Sequence, residues 1–242
     1  GLTDVMHIEG LGPKKAMKLH EALKVDSIDR LKHAAEDNKI RNIEGFGEKT
    51  EQRILQGIQT FCKTRGRILY SKALDYVTSL QKYLDSLSSI ERWEVAGSFR
   101  RAKETIGDLD VLVQGKDRKK ILKDILEYNA VADVASKGKE KSTVHLTGGL
   151  QVDFRFVEAK QFGAAMMYFT GAKAHNIDLR RIAQKKDWKL NEYGLFTGNR
   201  LLAGKDEESI YGRLGLSWIP PELREDQGEI DAAKNNELPA LL

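Results

Sequence analysis

Cysteine is nearly missing from this chain: Cys62 is the only one in 242 residues. A single thiol excludes an intrachain disulfide and any zinc cluster built on cysteines. Histidine is scarce too, and His7, His20, His33, His145 and His175 show no helical or hairpin pairing, which argues against a histidine metal site. No stretch reaches the ~20 consecutive apolar residues of a membrane span. No basic–apolar–small leader opens the chain either, so a cytoplasmic protein without a membrane partner is expected. Charge of one sign is also lacking: 40 Lys and Arg oppose 36 Asp and Glu, a net +4 that by itself implies little about nucleic acid. Hydrophobic residues at 40% and charged residues at 31% give an ordinary globular composition, with room for one large domain or two to three small ones. The basic residues cluster at Lys14, Lys15 and Lys18, at Arg100, Arg101 and Lys103, and at Lys137, Lys139 and Lys141.

The chain repeats itself once. Ile8-Glu9-Gly10-Leu11-Gly12-Pro13-Lys14-Lys15 recurs 35 positions later as Ile43-Glu44-Gly45-Phe46-Gly47-Glu48-Lys49-Thr50. Apolar residues at helical spacing follow each copy: Ala16, Leu19, Ala22 and Leu23, then Ile54 and Ile58. Two copies are too few for a solenoid and read as two hairpins, each joining a pair of helices. In such a hairpin the glycines (Gly10 and Gly12, Gly45 and Gly47) allow close approach to a phosphate, and the next helix offers free amides at its N-terminus. Lys14, Lys15 and Lys49 add attraction without sequence preference. One hairpin is equally well a plain helix connector; two at matched spacing favour binding to a DNA backbone.

An amphipathic helical pattern follows Gly66, with Leu69, Ala73, Tyr76, Val77, Leu80, Tyr83, Leu84 and Leu87 on one face. From residue 93 the texture is that of strands, at 93–96, 109–113, 131–134, 143–146 and 152–157, interrupted by a helix over 119–128. Lys137-Gly138-Lys139 and Gly148-Gly149 read as tight turns. Helical spacing returns after a boundary at Phe162-Gly163 and runs to Ala183. Residues 191–204 read as a hairpin and 209–214 as a short helix. Trp218-Ile219-Pro220-Pro221 is expected to end regular structure, leaving a polar, loosely packed tail.

The residues that carry chemistry lie in the strand region. Asp108 and Asp110, two apart in a strand, point to one face, where unpaired carboxylates repel each other. A divalent cation relieves the conflict, and hard oxygen ligands select magnesium or manganese. Asp153, in Gln151-Val152-Asp153-Phe154-Arg155, completes a cluster if its strand lies beside the first. Three carboxylates can hold two ions ~3.5–4 Å apart, bracketing the attacking and leaving oxygens of a phosphoryl transfer. Upstream, the Gly97-Ser98 turn lets backbone and hydroxyl approach a phosphate, and Arg101 can clamp phosphate oxygens. Either half alone reads equally well as a surface turn or a pair of solvated aspartates; both in this order and spacing favour catalysis.

Gly97-Ser98-Phe99-Arg100-Arg101, Gly107-Asp108-Leu109-Asp110 and Tyr168-Phe169-Thr170-Gly171 together make the chain resemble the family X DNA polymerases over essentially its whole length. Trp218-Ile219-Pro220-Pro221-Glu222-Leu223-Arg224-Glu225 is similar to the bacterial and archaeal branch. The resemblance implies an α+β fold: helix–hairpin–helix fingers over 1–66, a nucleotidyltransferase palm with a mixed sheet over 67–157, and a small α/β thumb over 158–242. It makes Asp108, Asp110 and Asp153 the ligands of two magnesium (or manganese) ions, with Asp153 activating the primer 3′-hydroxyl. Gly97, Ser98, Arg101, Gly107 and Arg67 are then expected at the triphosphate, Tyr168, Phe169 and Gly171 at the sugar, and Asn176 at the minor-groove edge of the new base. Arg155 and Arg180 are assigned to DNA, Arg180 on the template side. A core aromatic pair and a solvated helix face remain open readings of Tyr168–Phe169 and of Arg180. The implied partners are a dNTP and primer–template or gapped DNA, in gap-filling repair by a nucleoid-associated monomer. Neither an N-terminal lyase domain nor a C-terminal phosphoesterase domain is expected with this core.

Four residues depart from the family pattern. Lys173 stands where an acidic residue is usual, Ala102 where glycine is, Ile106 where a small polar residue sits near the phosphates, and Gln151 where a basic residue often meets the primer.

Overall fold

The computed structural model describes residues 5, 6, 8, 10–64 and 67–239, without the side chains of 29 and 59–64; His7, Glu9, Gly66 and the Cys62 side chain fall outside that set. The chain divides into two compact units, Gly1–Arg65 and Gly66–Leu242.

In the first unit, α1 (Pro13–Leu23) carries its proline at the first helical position, where a missing N–H leaves no bond unmade. Ser27 caps α2 (Ile28–Glu36), its Oγ accepting from the Arg30 backbone N–H at 3.3 Å. A short turn of 3-10 helix (Ile40–Asn42) leads through the second glycine hairpin to α3 (Glu48–Thr64). Leu11, Leu19, Leu31, Ile40 and Ile54 are buried together, so the apolar positions of the repeat close one small core. Glu51 is buried beneath Arg41 and accepts from its backbone N–H at 3.0 Å and its Nε at 2.6 Å, tying the start of α3 to the preceding turn.

The second unit opens with β1 (Ile68–Leu69), α4 (Tyr70–Asp85) and β2 (Arg92–Val95), then a single helical turn, α5 (Gly97–Arg100). β3 (Thr105–Ile106) pairs with β1, and β4 (Asp108–Gln114), α6 (Arg118–Leu126), β5 (Val131–Lys137), β6 (Lys141–Leu146) and β7 (Gln151–Phe156) follow. The main sheet has the order β2-β4-β7-β6-β5, with β4 and β7 parallel and the other neighbours antiparallel. Alternation along the strands separates two faces. Leu109, Val111 and Val113 of β4 pack with Val144, Val152 and Phe154 against α4 and α6. Asp108, Asp110 and Leu112 belong to the opposite face, where Leu112 meets α7 (Phe162–Thr170) through Phe162, Ala165 and Met166.

The rest of this unit comprises α8 (Lys173–Gln184), β8 (Trp188–Asn191), β9 (Gly194–Thr197), β10 (Arg200–Ala203), α9 (Glu207–Leu214) and α10 (Glu229–Asn235). Several sequence expectations change here. Leu69 is an exposed residue of β1 rather than part of the helical face. Phe162-Gly163 starts α7 instead of bounding it: a Cβ on Gly163 would stand 2.2 Å from the Asp206 Cα, so the glycine permits backbone contact. The helical stretch to Ala183 breaks at Gly171, whose φ of 71° a helix cannot take. Residues 188–203 form a three-stranded sheet, not one hairpin.

The tail is the clearest correction. Regular structure continues past the two prolines as a 3-10 turn (Pro221–Leu223) and α10. Arg224 is fully buried and Glu229 and Ala233 nearly so. Proline is excluded from helix interiors but fits the opening of a turn, and these charged side chains tolerate burial because they are paired. Among the described residues, no helix is long and apolar enough to cross a membrane.

Candidate active site

The parallel register of β4 and β7 sets Asp110 opposite Asp153 and Asp108 opposite Gln151. With a side-chain period of two, all three aspartates share the face that α7 leaves open at its polar end. Asp153 is buried, Asp110 half-buried and Asp108 exposed. The Asp153 carboxylate accepts from Lys141 Nζ at 2.8 Å, Thr143 Oγ1 at 2.7 Å and Gln151 Nε2 at 3.3 Å. Asp110 accepts from Arg155 Nε at 2.9 Å, and the same guanidinium lies 3.9 Å over the Phe169 ring. Burial pushes the Asp110 carboxyl up; Arg155 opposes that, Asp108 and Asp153 reinforce it, and the net result is a raised pKa.

Among the described residues, no three His, Cys, Asp or Glu side chains are gathered to hold a metal as they stand; Asp110 and Asp153 each hold a basic partner instead. The donor set nonetheless fits hard divalent cations. Three carboxylates share one strand face, and one has its charged form disfavoured for want of stronger counter-charge.

Gly97 turns the chain from β2 into α5 at φ 67°, and a Cβ there would stand 3.0 Å from Asp110 Oδ2. The glycine therefore lets the Gly97-Ser98 turn and the acidic strand approach each other. Phe99 stacks on Tyr70 at 4.9 Å between centroids and fixes the turn to the start of α4. Ser98, Arg101, Arg67, Asp108, Asp110, Tyr168, Phe169, Gly171, Asn176 and Arg180 then line one open cleft of about 600 Å³. Asp153 and Gly107 are not on its wall: Asp153 lies across from Asp110, and the bare Cα of Gly107 makes room for Arg67, whose Nη1 a Cβ would meet at 2.9 Å. Arg155 is not on the wall either, held as it is by Asp110. Tyr168 and Phe169 make an edge-on pair at 5.1 Å. Asn176 donates from Nδ2 to the Tyr168 carbonyl at 2.7 Å, while its Oδ1 is buried with no partner among the described residues.

Of the four departures, Lys173 lines the cleft and Gln151 supports Asp153. Ala102 adopts φ 51°, the left-handed region in which glycine is at ease. Ile106, on β3, is fully buried in the palm core.

Sequence reasoning missed how the basic run is partnered. Arg100 makes a two-pronged pair with Glu207 at 2.8 and 2.9 Å, and the buried Arg224 makes another with the same carboxylate at 2.8 and 3.1 Å. Trp218 Nε1 donates to Glu207 at 3.0 Å. Burial alone would push Glu207 up, but the two guanidinium groups outweigh it and hold its pKa at about 2. His175, fully buried one residue before Asn176, bridges Glu229 at 2.7 Å and the Tyr211 hydroxyl at 2.8 Å. The available sign was Arg224 among Trp218, Ile219 and Leu223: an arginine in apolar company needs a carboxylate, but its partner could not be named from spacing.

In the first unit, Gly10 and Gly45 take φ 86° and 82°. Gly12 ends the first hairpin as the cap of α1, with Lys15 Nζ 3.4 Å from the Gly10 carbonyl. An open groove of about 790 Å³ runs over Gly10, Gly12, Lys14 and Lys15. The two hairpins differ: the first turn of α1 holds no acid, whereas α3 begins with Glu48 and Glu51 beside Lys49.

Comparison with known proteins agrees with this geometry. The family models for the DNA polymerase beta palm and thumb match residues 67–184 and 165–225, and a SAM-like helix–hairpin–helix tandem matches residues 2–60. The DNA polymerase/3′-5′ exonuclease PolX of Bacillus subtilis (strain 168) is 34% identical over 235 residues, covering 96% of this chain and 41% of that protein. DNA polymerase lambda of Arabidopsis thaliana is 27% identical over 286 residues, covering 92% of this chain and 54% of its own length. Repair DNA polymerase X of African swine fever virus is 29% identical over 137 residues, 53% of this chain and 78% of the viral protein. An open cleft beside an acidic strand face, on a sheet that matches the DNA polymerase beta palm, gives the chain the architecture of the nucleotidyltransferase class. The chain belongs to the family X DNA polymerases, as a core of palm and thumb with helix–hairpin–helix motifs ahead of them. It spans about half the length or less of the Bacillus and Arabidopsis relatives, 41% and 54%.

Proposed function

We propose that this chain catalyses template-directed addition of deoxynucleotides to a primer 3′-hydroxyl, in gap-filling repair. The observation that carries the reading is the single cleft shared by phosphate-binding groups (Ser98, Arg101, Arg67), acidic groups (Asp108, Asp110) and sugar- and base-facing groups (Tyr168, Phe169, Gly171, Asn176). Arg180 takes the template side. Asp108, Asp110 and Asp153 would hold two divalent cations, magnesium or manganese, which would supply charge stabilisation to the phosphoryl transfer. For this, Arg155 and Lys141 must release Asp110 and Asp153; Arg155 is then available to DNA. Asp153 takes the proton of the 3′-hydroxyl. The 3′-oxygen bonds to the α-phosphorus as the bond to the bridging oxygen breaks, and pyrophosphate leaves with the electron pair. The division into fingers, palm and thumb at residues 66 and 157, a monomeric state and nucleoid association in the cytoplasm belong to the same reading.

Primer extension with and without a template strand tests it. Extension that requires the template is expected; untemplated addition would point to a template-independent transferase, and none at all to a DNA-binding scaffold.

The hairpins are proposed to clamp DNA backbone, the first more strongly because no acid opposes phosphate there. Gly10→Val is expected to weaken binding about tenfold for all sequences alike, since phosphate contacts position without specifying and a β-branched residue is strained at φ 86°. Gly45→Val should cost less. Fluorescence anisotropy against salt gives both answers; parent affinity that ignores salt, or a loss that varies with sequence, would overturn the clamp.

A further inference from the structure

The nucleotide cleft does not end at its two arginines. Arg67 and Arg101 also line a second open cavity of about 480 Å³, completed by Ala102, Lys103, Glu104, Thr105 and Glu222. Arg67 is fixed at this junction by Thr105, whose Oγ1 accepts from Nε at 3.0 Å. Arg101 donates from Nε to Glu225 Oε1 at 2.8 Å, and Lys103 Nζ lies 3.3 Å from the other oxygen, Oε2. One carboxylate thus bridges two cations of the second cavity's wall, of which Arg101 also lines the first.

Glu225 is held there by its surroundings. The neighbouring Arg224 is fully buried on Glu207, and its carbonyl accepts from the Ala172 backbone N–H at 3.1 Å. Arg101 is further pinned by donating from Nη1 to the Thr170 carbonyl. Neither link of Arg101 uses Nη2, which leaves a donor edge for an anion.

Resting on the nucleotide-cleft reading, we propose that the second cavity receives the leaving pyrophosphate and that Glu225 is a built-in counter-anion competing with it for Arg101 and Lys103. A condensed phosphate dianion or trianion entering the seam meets Arg67, Arg101 and Lys103. Like-charge repulsion from Glu225 limits how tightly it is kept, so the product is passed out instead of held.

Calorimetric titration of magnesium pyrophosphate into the whole chain, alongside a dNTP, tests this. Glu225→Gln keeps an oxygen that can accept from Arg101 but removes the charge, and should tighten pyrophosphate about fivefold, the scale of one partly exposed charge pair. Lys103→Met, at a half-exposed side chain, should weaken it about fivefold. Pyrophosphate inhibition of extension should shift in the same directions. Unchanged or weaker pyrophosphate binding in Glu225→Gln, or no change in Lys103→Met, would overturn the proposal while parental dNTP binding leaves the cleft reading intact. Failure of the parent to bind a dNTP would overturn the cleft reading itself.

Discussion

Asp110→Asn and Asp153→Asn are each expected to lower primer extension by three or more orders of magnitude while changing DNA affinity by less than about twofold, equivalent to ~4 kcal/mol of lost transition-state stabilisation. Asparagine has the same shape and can still accept from Arg155 or from Thr143, so the fold survives, although Asp153→Asn gives up the Lys141 bond to Oδ2. What goes is one anionic ligand of the cations that stabilise the developing charge. Affinity is expected to persist because the proposed backbone clamps lie in the first unit. Single-turnover extension and anisotropy on the same preparations separate the two quantities. A variant that keeps a tenth of the parent rate would remove these carboxylates from the chemistry.

Glu207→Ala is expected to destabilise the second unit by about 3–5 kcal/mol, because it leaves Arg224 buried and charged without its partner. Loss of the Arg100 pair adds to this at the end of α5. Trp93, Trp188 and Trp218 all lie in the second unit, so tryptophan fluorescence in urea reports its unfolding without the first. The pH dependence has a definite sign. Glu207 sits at about 2 in the folded chain against an ordinary 4.5, so its contribution is complete above pH 4.5 and is lost as pH falls toward 2. That lowering amounts to about 3 kcal/mol. The stability gap between parent and Glu207→Gln should therefore narrow between about pH 5 and 2.5. A gap that is absent at neutral pH, or constant across this range, would show that the network contributes little.

Much of the architecture was legible because it depends on local periods. Alternation placed Asp108 and Asp110 on one face, glycine pairs marked both hairpins and the β6–β7 turn, and helical spacing located α4 and α6 to within a few residues. The residue types at 97–101 and 108–110 carried the family resemblance, and alternation alone sets the two carboxylates on one strand face.

Other features exist only in three dimensions. That Asp153 stands opposite Asp110 follows from the parallel pairing of β4 and β7, which α6, β5 and β6 separate along the chain. Nothing local selects that neighbour. The Ile106 side chain turns inward because β3 pairs with β1 over the palm core. The tail, polar by composition, is packed because Arg224 and Glu229 meet Glu207 and His175 from elements distant in sequence. By itself the sequence determined which groups could do chemistry and the period on which each sits. Tertiary structure decided which charges meet, because burying a charge costs several kcal/mol unless a partner arrives, and only the folded chain brings that partner.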